Sequence, residues 1–476
     1  QWVTNQTLED FALRYTPVSA RRWSAKQVVM TALSAITFLA LEAIGGALTL
    51  TYGFNYVVVA VILVSIIIFA LSMPIAINAA KNGLDIDLLT RGAGFGYLGS
   101  TVTSLIYASF TFIFFALEAA IMAMALNMLF GLPLHFGYLI GSVVVIPLVT
   151  WGFTFISRFQ QFTQFCWLAL QLLPFIFILI REHHVLQNWI DFPGFITARD
   201  GSFDFLQLGA VCSVLLSLVS QVGEQVDQVR FLPKPQHPAR WRWYGAVIAA
   251  GPGWVVIGAI KILLGSFLAV LAFNYGLGAE LASEPTHMYL VAFSYVTHSS
   301  STLLALTGIF VVLSQLKINV TNAYAGSIAW SNFFLRLTHR HPGRVVWLFF
   351  NVGIALLLME LGVYRVFEDI LGIYAVAATS WLGSVVADLT LNKWLKLRPA
   401  EIEFRRAYLY DINPVGIGSM TLAMLCGLSA WMGWLGHPLQ VFASMLSLCL
   451  TFITAPFIAW LTRGRYYFSR TPVQVT

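Results

Sequence analysis

The sequence predicts an all-α membrane protein of about 12 transmembrane helices, built as a five-plus-five inverted repeat with broken helices one and six. Three observations carry that reading. Apolar residues fill 58% of the 476 positions and charged ones only 10%, against about a quarter charged in ordinary globular domains. Apolar runs of about 20 residues, enough at 1.5 Å per residue to cross a ~30 Å hydrocarbon core, recur along the whole chain. Polar and ionisable side chains nevertheless interrupt several of those runs, where lipid makes them costly.

With Gly, Pro and charge clusters as boundaries, five spans fall at roughly 27–50, 55–80, 97–130, 136–154 and 162–181. Seven more follow at roughly 205–228, 242–273, 301–335, 344–361, 363–388, 415–433 and 438–462. Residues 1–26 form an N-terminal segment, 27–182 the first five-helix repeat and 205–390 the second. A charged loop, 391–414, holding Lys393, Arg398, Glu401, Glu403, Arg405 and Arg406, leads to two accessory helices within 415–462 and a tail, 463–476. Five spans return the chain to the opposite face, so the second repeat must run inverted, which places a binding site near mid-membrane.

Charge placement supports this topology. With the N-terminus inside, 22 of the 27 Lys and Arg residues fall on the inner side, as the positive-inside rule requires. Arg181, Arg199 and Arg365 fall outside, and Lys261 and Lys317 lie within spans. The expected location is a bacterial inner (plasma) membrane, multi-pass, with both termini cytoplasmic. The start at Gln1 and the end at Thr476, just past Arg463, Arg465 and Arg470, read as a piece of a longer protein. Cys166, Cys212, Cys426 and Cys449 all sit in apolar spans, so neither a disulfide framework nor a zinc site is expected.

Polar and small residues interrupt the pattern at matching places in the two repeats: Glu42, Gly45 and Gly46 in span one, and Gln221, Gly223, Glu224 and Gln225 in span six. Unwound backbone at membrane depth is tolerated only where protein or a cavity satisfies it, so both places are candidate breaks beside a site. For Gly45 and Gly46, helix packing is an equal reading. Glu42, Glu118 in span three and Lys317 in span eight are the deepest ionisable groups. Glu224, Asp227 and Lys261 are expected nearer the membrane surfaces, Lys261 as a structural ion pair or a snorkelling head group. Span eight gathers Gln315, Lys317, Asn319, Thr321 and Asn322 within two turns. Its amides suit the edge of a planar amide or heterocycle, with interhelical hydrogen bonding as the plainer alternative.

Gly94, Gly96 and Gly99 match a Gly-x-Gly-x-x-Gly pattern but follow a membrane span rather than a strand, so they read as a loop hinge. His183 with His184, and His339 with His341, lack further ligands at metal spacing. No nucleophile triad, P-loop or nucleic-acid patch is evident. The expectations are therefore no cofactor, no metal and no enzyme activity, unless a kinase region lies downstream.

Four motifs resemble the nucleobase-cation-symport-1 family, which includes cytosine, allantoin and hydantoin permeases. They are Gly83-Leu84 with Leu89, Arg91, Ala93, Phe95 and Gly96 after span two, and Asp227-Gln228-Val229-Arg230-Phe231 closing span six. The others are Asn319 through Tyr324-Ala325-Gly326-Ser327 in span eight, and Val386-Ala387-Asp388 with Asn392 closing span ten. In order and spacing the resemblance covers roughly residues 20–465, and it looks closest to the transporter-like membrane domains of bacterial sensor histidine kinases. It implies a site between helices one, three, six and eight. Two departures stand out. Ring-stacking members carry aromatics on helices three and six, where this chain has Phe110 and Leu218. Sodium-coupled members have a Ser/Thr pair where it has Lys317 and Ile318.

The expected function is a permease that moves a small planar solute, such as a nucleobase, hydantoin or related amide heterocycle, by alternating access. Glu42, Phe110, Glu118, Gln221, Asn319 and Asn322 are the expected substrate contacts. Lys317, facing Glu42, would substitute for the coupling cation, so that sodium is not used. The alternative is the ligand-sensing membrane domain of a bacterial sensor histidine kinase, with a signalling domain downstream. Either way the partners are a small molecule and membrane lipid, not nucleic acid.

Overall fold

The computed structural model describes residues 15–182, 184–196, 203–235, 240–340, 342–362 and 366–468, leaving aside the side chains of 367–369. Among these residues every regular element is a helix. The spans follow in the expected order. They are α1a (Ala25–Ser34) with α1b (Ala40–Tyr52), α2 (Phe54–Asn82), α3 (Ser100–Phe130), α4 (Leu134–Thr150) and α5 (Phe153–Arg181). The second repeat is α6 (Phe205–Val229), α7 (Arg240–Asn274), α8 (Ser300–Thr338), α9 (Arg344–Glu360) and α10 (Phe367–Ala387), followed by α11 (Pro414–Trp431) and α12 (Ala443–Leu461). Among the described residues nine helices are long and apolar enough to cross a membrane. The remaining three are shorter because α1 is broken, α4 divides at Val144 and α9 has 17 residues. His183, Arg199, His341, Arg365 and Arg470 lie outside the described residues.

The expected break in helix one exists, and helix six tightens at the expected place without unwinding; each disturbance lies one step ahead of the polar residues that predicted it. Helix α1a starts at Ser24, whose hydroxyl accepts the Gln27 N–H at 3.2 Å, and stops at Ser34. The backbone of residues 35–39 is buried, and α8 holds it through one backbone and one side-chain group. The Leu39 N–H donates to Gln315 Oε1 at 3.1 Å, and the Thr37 hydroxyl to the Ser314 carbonyl at 2.7 Å. Glu42 then lies in the first turn of α1b. In α6 the disturbance is a tightened 3-10 turn, Ser217–Ser220, after which Gln221 opens a new α segment.

Gly45 and Gly46 lie inside α1b and serve packing. A Cβ on Gly45 would come within 2.0 Å of the Ile262 carbonyl oxygen, and a Cβ on Gly265 of α7 within 2.2 Å of Glu42 Cα. The two backbones therefore cross in contact, as small residues allow. Gly265→Ala is expected to push the helices apart and lower stability by about 1–3 kcal/mol. Gly245→Ala, on the same helix but facing open space, is expected to leave the thermal unfolding midpoint in detergent unchanged or slightly raised.

Helices α3 and α8 pack along each other more extensively than any other pair, and α11 and α12 form an accessory layer against α10. The Gly94–Gly99 segment is a docking loop. Gly96 has φ +81°, and the N–H groups of Tyr97 and Leu98 donate to the Tyr410 and Asp411 carbonyls at 3.0 and 2.7 Å.

Candidate substrate site

Glu42 is fully buried, and its Oε1 accepts from Lys261 Nζ at 2.5 Å and from the Tyr289 hydroxyl at 3.2 Å. Tyr289 in turn accepts from Gln171 Nε2 at 2.7 Å. The Lys261 ammonium lies 5.5 Å from the Trp167 ring centroid, and the Trp167 indole N–H donates to Ser314 Oγ at 2.9 Å. Lys261, expected near a surface, is buried, and of its two readings the ion pair is the observed one. The expected facing of Glu42 and Lys317 does not occur. The α1b–α7 crossing at Gly45 and Gly265 delivers Lys261, one turn from Gly265, to Glu42 instead.

Lys317 points to α5. Its Nζ donates to the Gln160 carbonyl and the Thr163 hydroxyl, both at 2.9 Å, and Gln160 Nε2 returns a bond to the Lys317 carbonyl at 2.7 Å. The ammonium thus sits among neutral oxygens, the ligand type that hard cations take.

Gln315 ties three helices together. Its Nε2 donates to a Glu118 carboxylate oxygen, and its Oε1 holds the broken end of α1. One turn further on, Asn319 donates to the Phe115 carbonyl at 3.3 Å and accepts from Asn322 at 3.1 Å, so these amides brace α8 against α3. Phe110, Phe114 and Glu118 recur every four residues on one face of α3. The Phe110 ring lies 4.5 Å from Phe114 and 6.1 Å from Tyr374, the latter pair near-parallel at 29°. Tyr374 donates to the Ile106 carbonyl at 2.9 Å and accepts from Ser220, at the α6 turn, at 3.2 Å. Gln221 donates to Glu224 at 2.8 Å, and Glu118 interacts electrostatically with both Glu42 and Glu224.

Leu218, the expected second wall, instead lines a small cavity with Trp254 and Ile262 between α2, α6 and α7. The second ring beside Phe110 is Tyr374. Glu224 and Asp227, expected near the surface, are buried. Sequence reasoning missed Tyr289, Tyr374, Gln171 and Trp167. The usable signal was a polar tip at mid-span, weak in a chain that is 14% aromatic.

No known protein family and no curated protein matches the chain. Solved structures do. One is Mhp1, a nucleobase-cation-symport-1 family transporter, in a closed conformation with bromovinylhydantoin bound: 16% identical, 98% of each chain covered, TM-score 0.70. The chain has the Mhp1 fold. An Na+-coupled sialic acid symporter in a substrate-bound outward-open state is 13% identical, with 100% of this chain and 95% of that one covered and a TM-score of 0.63. A manganese transporter from Eremococcus coleocola is 10% identical, with 93% and 95% covered and a TM-score of 0.56.

Within this Mhp1-like fold the quoted motifs meet. Asp227 accepts from the Tyr107 hydroxyl at 2.8 Å, Arg230 reaches Asp85 at 3.4 Å and Tyr324 at 3.3 Å, and Arg336 donates to Ser104 at 2.7 Å. Ser104 also donates to Asp87. Asp388 is held by Arg398, at 2.8 Å, and by Asn392 and Tyr467. Asp87 lies between α2 and α3, outside the spans, and burial pushes its carboxyl up to about 7, opposed by Arg336. The raised value favours the protonated form in the fold. Its stabilising share is therefore full below about pH 4 and is lost as pH rises to about 7, at roughly 1 kcal/mol per unit. Asp87→Asn is expected to flatten that slope between pH 5 and 7 in thermal unfolding series.

Proposed function

We propose that this protein is a secondary active transporter for a small planar solute such as a nucleobase or hydantoin, working by alternating access and without sodium. The observation that carries the proposal is the break of α1 at residues 35–39, satisfied by Gln315 and Ser314 of α8 beside the buried Glu118. Irregular backbone persists at membrane depth only where protein or a cavity satisfies it, and in inverted-repeat transporters such breaks flank the site. Glu42, Phe110, Glu118, Gln221, Asn319 and Asn322 are assigned as the substrate-facing set, with Phe110 and Tyr374 for stacking and the amides for edge contacts. Lys317 stands in for a coupling cation by joining α8 to α5. Glu42 or Glu118 is the carboxyl that couples proton entry. The whole set is buried, so entry requires one helix group to rock against the other. The charge distribution supports an inner-membrane location with both termini inside.

The test is uptake of labelled nucleobases and hydantoins into proteoliposomes under separate proton, sodium and potential gradients. Accumulation without sodium is expected. No accumulation under any gradient would refute transport. Ligand-dependent thermal stabilisation without accumulation would support the ligand-sensing reading instead.

A further inference from the structure

The carboxyls at the centre outnumber the cations that face them. Glu42, Glu118 and Glu224, on α1b, α3 and α6, are each 0% exposed. Lys261 is paired with Glu42 and acts on Glu118 only at longer range. Glu118 and Glu224 act on each other electrostatically, and among the described residues neither forms an ion pair. Each keeps its Oε1 without a hydrogen-bond partner. Beside Glu224, on the α6 face of Gln221, Gln225 is 1% exposed with both its amide oxygen and its amide nitrogen unpartnered. Buried polar atoms are seldom left bare, so several bare ones together mark a place prepared for an occupant.

With Glu42 Oε2, also unpartnered, the open positions are mostly acceptors, and three of the four acceptors are carboxyl oxygens. An occupant that satisfies them carries N–H donors and positive charge. The apolar part of the same face agrees: Phe110 and Phe114 share it with Glu118, Tyr374 lies against Phe110, and ring faces attract organic cations. A flat amidinium or guanidinium presents paired N–H groups that match a carboxylate two-pronged. A metal ion is a poor fit, since no group of three His, Cys, Asp or Glu able to hold one occurs among the described residues.

We propose that the central site takes a flat organic cation with several N–H donors, an amidinium, guanidinium or protonated amino-heterocycle, between Glu118 of α3 and Glu224 of α6. The assignment rests on the transport-site reading above and narrows its solute class.

A matched pair of probes tests it: benzamidine, a flat amidinium, and benzamide, the same frame with a neutral amide. In thermal unfolding of the purified full chain, benzamidine is expected to stabilise at concentrations about tenfold lower than benzamide. Glu118→Gln and Glu224→Gln are each expected to remove most of that preference, while Glu280→Gln, on an exposed loop helix, keeps it. Equal action of the two probes, as carboxyls that merely hold protons would produce, overturns the assignment. So does a preference that survives both glutamine variants, or no stabilisation by benzamidine at all. If a variant does not fold, the comparison on the unaltered chain decides. Hydantoin accumulation without benzamidine binding would sink the cation assignment and leave transport intact. Benzamidine binding without accumulation of any solute would support the assignment and count against transport.

Discussion

Lys261→Met is expected to lower stability by about 3–5 kcal/mol, through the carboxylate it would strand rather than through any bond it removes. Glu42 and Lys261 are both buried, with side-chain exposures of 0% and 2%, so the remaining acid would have neither water nor countercharge. The Tyr289 hydroxyl at 3.2 Å offers a single hydrogen bond and no charge. Because taking two charges out of water costs about as much as their attraction returns, the double variant Lys261→Met with Glu42→Gln is expected to recover most of the loss. Thermal unfolding of the three variants in one detergent measures this, and a Lys261→Met protein as stable as the parent would rule out a buried pair. The pair joins α1b to α7, already in backbone contact at Gly45 and Gly265, so the double variant also reports whether that contact suffices to hold the two helices together.

Lys317→Ala is expected to abolish sodium-free solute accumulation, by about tenfold or more, and to introduce a dependence on sodium that the parent lacks. Removing the ammonium leaves the Gln160 carbonyl and Thr163 hydroxyl, each 2.9 Å from Nζ, as oxygen ligands without a cation between α8 and α5. A small hard cation satisfies such ligands. Uptake and thermal unfolding compared in sodium and choline chloride, at constant pH and potential, decide the matter. A steep sodium dependence in the parent, or an alanine variant indistinguishable from it, would end the idea that Lys317 replaces an ion.

The spans were legible because crossing a membrane is a local demand: about 20 apolar residues in a row satisfy it wherever they occur. The helix breaks were nearly legible. Glu42 and Gln221 mark where polarity is needed, but the chain departs from regular α geometry at 35–39 and 217–220. In α1 that departure lies where Gln315 takes the freed Leu39 N–H and the Ser314 carbonyl takes the Thr37 hydroxyl, and no local pattern reveals a partner some 276 residues away. Leu218 shows the same limit, since its position suggested a wall of the site while α6 turns it toward α2 and α7 and leaves Tyr374 beside Phe110.

By itself, the sequence determined that this chain is a helical membrane protein of two inverted repeats, and that costly groups are kept inside it. The tertiary structure alone decided which of those groups meet. Glu42 is 219 residues from Lys261, and Lys317 is 154 from Thr163. Hydrophobicity is a property of a segment and can be read from it, whereas charge compensation depends on where two helices cross, and here that was settled by glycines that carry no charge.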